Sequence, residues 1–132
     1  MATIFSKIIS GEIPSYKIAE TNSCYAFLDV SPLAKGHTLV VPKQEVDYIF
    51  DMDDAMHTEL WQFARQVSKA VKAAVPCKRI GVAVIGLEVP HAHIHLIPMN
   101  RVSDMNFAMP KLSFSKDEME ATAEAIRRQF TL

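Results

Sequence analysis

Apolar residues recur along this chain with two periods, and each change of period marks an element. Phe5, Ile8 and Ile9 sit at i, i+3 and i+4 with Gly11 behind them, so Ile4 to Gly11 reads as a short helix ended by glycine. Glu12-Ile13-Pro14 is a loop, and Tyr16 to Glu20 a strand. Cys24 to Val30 is a second strand-like run, closed by Ser31-Pro32. Lys35 to Lys43 reads as a turn and then a buried strand, because its apolar, β-branched run is bounded by Gly36 and Pro42. Gln44 to Asp51 is a polar loop with one helical turn. From about Asp53 to Val75 the period is helical: Met56, Leu60, Phe63, Ala64, Val67, Val71, Ala74 and Val75 form one stripe. Asp51, Asp53 and Asp54 suit its N-terminus, and Pro76 ends it. Trp61 lies off the stripe, at a core edge or an interface, and His57 is a surface residue without a catalytic role. Lys78 to Gly86 is a strand, followed closely by another that pairs antiparallel with it through a tight connection. Asn100 to Phe114 is irregular around Pro110, either a plain surface loop or a lid. Ser115 and Glu118 have capping-box spacing, and Met119, Ala123, Ile126 and Phe130 share one helical face behind them. With no repeat or linker, residues 1–132 make a single domain.

The last strand carries the chemistry. Pro90-His91-Ala92-His93-Ile94-His95-Leu96-Ile97-Pro98 places three of the five histidines at alternate positions. On an extended strand His91, His93 and His95 share one face, neighbours about 7 Å apart, while Ala92, Ile94 and Leu96 face the core. Such a row could be structural, although each imidazole then needs its own hydrogen-bond partner. It could contribute to a metal site, with a further ligand from elsewhere. Or the central His93 could be a nucleophile held in one tautomer by its neighbours.

Composition narrows the partners. Fourteen basic residues against fifteen acidic give a net charge of −1, which offers no field for nucleic acid or an anionic membrane. No apolar run is long enough to span a bilayer, no signal-peptide pattern opens the chain, and Cys24 and Cys77 make no disulfide framework. A soluble cytoplasmic protein is expected.

The Pro-His-x-His-x-His stretch resembles the histidine triad (HIT) family of nucleotide-binding hydrolases and transferases. The phrases Ile4-Phe5-x-Lys7-Ile8-Ile9-x-Gly11-Glu12-Ile13-Pro14, Phe27-Leu28-Asp29-Val30-Ser31-Pro32 and Gly36-His37-Thr38-Leu39-Val40-Val41-Pro42-Lys43 also resemble it, in the expected order. The resemblance implies an α+β fold: an antiparallel sheet of about five strands with one long helix and a C-terminal helix, assembled as a homodimer. It implies a nucleoside pocket that includes Phe5, Ile8, Ile13, Phe27 and Val30, with Asp29 accepting both ribose hydroxyls. On residue type alone Asp29 is equally a turn acid, and His37 a strand-start histidine; the resemblance makes His37 the fourth histidine of the site. Many relatives carry a Cys-x-x-Cys half of a zinc site where this chain has Thr3 and Ser6. Hydroxyls are poor zinc ligands, so that zinc is expected to be absent. Relatives also tend to carry polar residues where this chain has Leu87 and Glu88, which leaves the backbone of Gly86 to Val89 to hold a phosphate.

The implied reaction is nucleotidyl transfer from a purine nucleotide to His93 and then to water or another acceptor. His91, His95 and His37 assist, and no metal or other cofactor is required. An ordinary histidine pKa of about 6.5 leaves such a nucleophile mostly neutral at pH 7. Two other readings stand beside it: a metal-dependent hydrolase using His91, His93 and His37, and a nucleotide-binding module whose catalysis has decayed, suggested by Leu87 and the short loop before it.

Overall fold

The computed structural model describes residues 2–131 and has an α+β fold. Its elements are α1 (Ile4–Ser10), β1 (Lys17–Glu20), β2 (Cys24–Leu28), β3 (Thr38–Pro42), α2 (Asp54–Ala74), β4 (Arg79–Ala83), β5 (Ile94–Met99) and α3 (Lys116–Gln129). Short 3₁₀ turns at Ile49–Asp51 and Val102–Met105 interrupt the two long connections. The strands form one five-stranded antiparallel sheet in the order β1-β2-β3-β5-β4.

Alternation divides each strand between two layers. Ala26 and Leu28 of β2, Val40 of β3, and Ile94 and Leu96 of β5 face Leu60, Phe63, Ala64, Val67 and Val71 of α2. Met119, Ala123 and Ile126 of α3 close the same core. Tyr25, Phe27, Leu39 and Val41 face the other way and meet Phe5 and Ile8 of α1. The histidine-bearing positions belong to this second face, since Leu39 pairs with His95 across β3 and β5. Burying each large apolar side chain contributes roughly 1.5–3 kcal/mol, so the α2 stripe contributes substantially to the stability.

The caps follow the local chemistry. Asp53 accepts from the Met56 N–H at 2.8 Å at the start of α2. Ser115 and Glu118 form the reciprocal capping box of α3. Gly11 ends α1 at φ 88°, a conformation that costs glycine nothing. Gly36 is needed twice over: its φ is 88°, and a Cβ there would lie 2.9 Å from Val75 Cγ2. Trp61 is a core-edge residue, half-buried, with its indole N–H donating to His57 Nε2 at 3.2 Å.

Two expectations need correcting. β4 and β5 are antiparallel neighbours, but no tight turn joins them: β4 ends at Ala83, and residues 84–93 form a looped connection. The straight strand through all three histidines is also absent, because β5 begins only at Ile94. Pro90 has no N–H for a ladder, and the Ala92 N–H goes to Val46 O at 2.7 Å instead of to a sheet neighbour. His91 and His93 therefore precede the strand, and the His93 and His95 rings meet edge to face with centres 4.9 Å apart.

Candidate active site

The site is assembled from two turns and the entrance to β5. The Gly36 turn delivers His37, which is 1% exposed. The Leu33 N–H donates to His37 Nδ1 at 3.0 Å, so the ring proton of neutral His37 must sit on Nε2. That Nε2–H donates to His95 Nδ1 at 3.0 Å. His95 in turn must keep its own proton on Nε2. A backbone amide thus dictates two tautomers in series.

Burial makes both rings reluctant to charge. Burial first, then the neighbouring His95, Lys111 and His93, push His37 down to about 3. Burial and the nearby His93 push His95 down to about 4. Both are neutral near pH 7, so the 3.6 Å approach of His37 Nε2 to Asp29 Oδ2 is not an ion pair. Asp29 sits just after β2, where its Oδ1 accepts the Ser31 N–H at 2.8 Å. Burial raises its carboxyl, against the lowering effects of that N–H, His93 and Lys111.

His93 is oriented by main chain. Its Nδ1 lies 2.9 Å from the His91 carbonyl, which can only accept, so Nδ1 carries the proton. Nε2 is left with the unshared pair, on a ring that lines a cavity of about 320 Å³. Phe5 packs edge-on against the same ring, centroids 4.9 Å apart.

The side chain of His91 faces a different neighbourhood. Its Nε2–H donates to Pro42 O at 2.7 Å, and its Nδ1 accepts the Thr3 hydroxyl at 2.7 Å. Thr3 also caps α1 by accepting from the Ser6 N–H, and the Ser6 hydroxyl donates to Glu45. Thr3 and Ser6 are thus the hydrogen-bonding supports of a fully buried imidazole. The His91 ring is absent from the cavity lining; its carbonyl is what reaches His93.

These placements bear on metal chemistry. The expected donor set of His91, His93 and His37 is not brought together, because both nitrogens of His91 are engaged elsewhere. Asp29, His37 and His95 do place donor atoms within 4.8 Å of one another. A metal on His37 Nε2 would nevertheless need the proton on Nδ1, where the Leu33 N–H already points. That arrangement favours a hydrogen-bond relay over a metal centre.

The expected nucleotide-pocket residues divide. Asp29, Gly86, Leu87, Glu88 and Val89 line the cavity with His37, His93 and His95. Phe5, Ile8 and Phe27 are buried in their own cluster, with Ile13 and Val89 packed against it. Val30 is 70% exposed and outside the lining. Leu87, 89% exposed, offers no polar side chain, whereas Gly86 at φ 70° opens the loop backbone. The sequence reading missed Ser31, Ile85, Phe107 and Lys111, all of which line the cavity. The irregular stretch around Pro110 was the available signal for the last two, but spacing alone cannot say what such a loop covers.

The geometry defines a small α+β protein with an oriented imidazole lone pair beside a buried, neutral histidine pair. Comparison with known proteins agrees: the HIT domain model matches residues 10–102. The chain is 41% identical over 98 residues to an adenosine 5'-monophosphoramidase of Saccharomyces cerevisiae, covering 74% of this chain and 62% of that one. It is 32% identical over 128 residues to an adenosine 5'-monophosphoramidase of Schizosaccharomyces pombe, covering 96% of each. The crystal structure of a Hit-like protein from Bartonella henselae superposes with a TM-score of 0.84 at 30% identity, over 97% of this chain and 96% of that one. This chain belongs to the HIT family.

Proposed function

We propose that the protein is a nucleotide hydrolase or transferase of the HIT type, acting at the α-phosphorus of a purine nucleotide derivative through a covalent intermediate on His93. The observation that carries this reading is the 2.9 Å hydrogen bond from His93 Nδ1 to the His91 carbonyl, which leaves Nε2 as a fixed nucleophile in the cavity. Nε2 attacks phosphorus, an N–P bond forms, and the bond to the leaving group breaks with its electron pair on the departing atom. An amine leaving group takes its proton from solvent. Water then attacks the same phosphorus, loses a proton to solvent, and the N–P electron pair returns to Nε2. Dividing one displacement into two is the gain.

The other residues have distinct parts. His95 Nε2–H donates to a phosphoryl oxygen as charge builds, and His37 fixes its tautomer. The His91 carbonyl orients the nucleophile. Asp29 accepts the ribose hydroxyls, and the main chain of Gly86 to Val89 flanks the phosphate. The base rests toward Val89, which lines the cavity and packs against the cluster of Phe5, Ile8 and Phe27, as Ile13 does. No step requires a metal. The relatives named adenosine 5'-monophosphoramidases support an adenosine phosphoramidate as a first substrate to test.

The test is turnover of adenosine 5'-monophosphoramidate by the wild type and His93→Ala. The variant should lose at least about 10³-fold in kcat while still binding AMP. Equal, substantial turnover would refute the nucleophile; AMP binding with no turnover in either protein would favour a binding module; and loss of wild-type activity to a chelator would favour metal chemistry.

A further inference from the structure

The buried His37–His95 pair supplies no positive charge where a phosphate would sit. His37 and His95 are pushed down to about 3 and about 4. Asp29 and Glu88 line the same cavity and add negative charge. A bound phosphoryl group there needs a cation from outside the motif. Among the described residues, Lys111 is the sole lysine or arginine in the lining.

Lys111 is held in place by its own loop. Its Nζ donates to the carbonyls of Phe107 at 2.7 Å and Met109 at 3.3 Å. An ammonium has three N–H donors, so one remains for a ligand. Much of the rotamer freedom of a free lysine is already surrendered to this tether, which lowers the entropy cost of binding. The loop itself is docked over the histidines. The Phe107 ring lies 4.9 Å from the His95 ring and 6.4 Å from that of His37, centroid to centroid. Beyond Lys111, the Leu112 N–H donates to Pro32 O at 2.8 Å, tying the loop to the turn that carries Asp29. The Lys111 charge is felt at Asp29 and His37, both of which it lowers.

We propose that Lys111 is a phosphate-binding residue of this site, its remaining Nζ–H donating to a phosphoryl oxygen of the bound nucleotide, with Phe107 closing the histidine pair from solvent. The inference rests on the nucleotide reading above and adds to it a cation outside the histidine motif. It takes over the polar role that Leu87 cannot perform. It also makes the site one for nucleotides over nucleosides, through a single charge-assisted contact.

The experiment is calorimetric titration of the protein with AMP and with adenosine, in the wild type, Lys111→Met and Lys111→Arg. The wild type should bind AMP more tightly than adenosine. Lys111→Met should weaken AMP about 10- to 100-fold, the usual span for one lost hydrogen bond to a charged group, and change adenosine less than about twofold. Lys111→Arg should keep most of the preference for AMP. If AMP and adenosine weaken together, Lys111 only braces the loop and the proposal fails. It fails too if AMP is unaffected in Lys111→Met. A wild type that binds neither compound would overturn the nucleotide reading itself, and this inference with it.

Discussion

Lowering the pH from 8 to 5 should destabilise the fold through the buried histidine pair. The unfolded chain protonates ordinary histidines near pH 6.5, whereas His37 and His95 stay neutral until about 3 and about 4. The unfolded state therefore binds more protons across this window, and linkage makes stability fall as pH falls. The stabilising difference is complete above pH 6.5 and is withdrawn below it. At pH 5 the loss is ~2 kcal/mol per ring, ~4 kcal/mol for the pair, from the difference between 6.5 and the depressed values. Exposures of 1% and 8% mean that solvent screening does little to reduce this. His91, also lowered by burial, adds in the same direction. Asp29 acts oppositely, because burial raises its carboxyl, so the net loss is somewhat smaller than the sum. Against a typical total of ~5–15 kcal/mol, the change is large. Urea unfolding at constant ionic strength measures it: the midpoint should drop by roughly 1–4 M at pH 5. His37→Gln should show about half the pH dependence of the wild type. A midpoint that moves by less than the equivalent of ~1 kcal/mol would mean the rings are not held neutral, and the tautomer relay would lose its basis.

Gly36→Ala should cost at least ~1–3 kcal/mol in urea unfolding, because alanine must adopt φ 88° with its Cβ 2.9 Å from Val75 Cγ2. An unchanged midpoint would contradict the placement of His37. Thr3→Val leaves Nδ1 of the buried His91 without its donor, a loss of ~1–3 kcal/mol in stability. Through the His91 carbonyl it should lower kcat for adenosine phosphoramidate more than it raises KM, and Thr3→Ser should restore the rate. The expected homodimer has an available seam in β4, an edge strand with Val82 49% exposed. Sedimentation should give twice the monomer mass for the wild type and a shift towards monomer for Val82→Lys; a wild-type monomer would rule the seam out.

Much of the fold was legible because its elements obey simple periods. The α2 stripe, the Ser115 capping box and the Gly11 stop are local signals, and the structure places them within a residue or two of their expected positions. Asp29, His37, His93 and His95 were legible as a group only through their motifs, since distant turns bring them together. The extended spacing through His91 failed because Pro90 and the Ala92 bond to Val46 O take those residues off the ladder. The role of Thr3 beside His91 and that of Lys111 depend on contacts across the fold. No periodicity encodes a loop such as 106–112 lying over β5.

On this reading His93 Nε2 makes a bond to phosphorus. Rapid quenching of the protein with adenosine phosphoramidate, followed by peptide mass spectrometry under conditions that preserve N–P bonds, tests it directly. An adenylyl group should appear on the peptide containing His93, on that ring alone, forming and decaying at rates compatible with turnover. Turnover with no such adduct at any time, or an adduct on His91 or His95 that persists in His93→Ala, would contradict it.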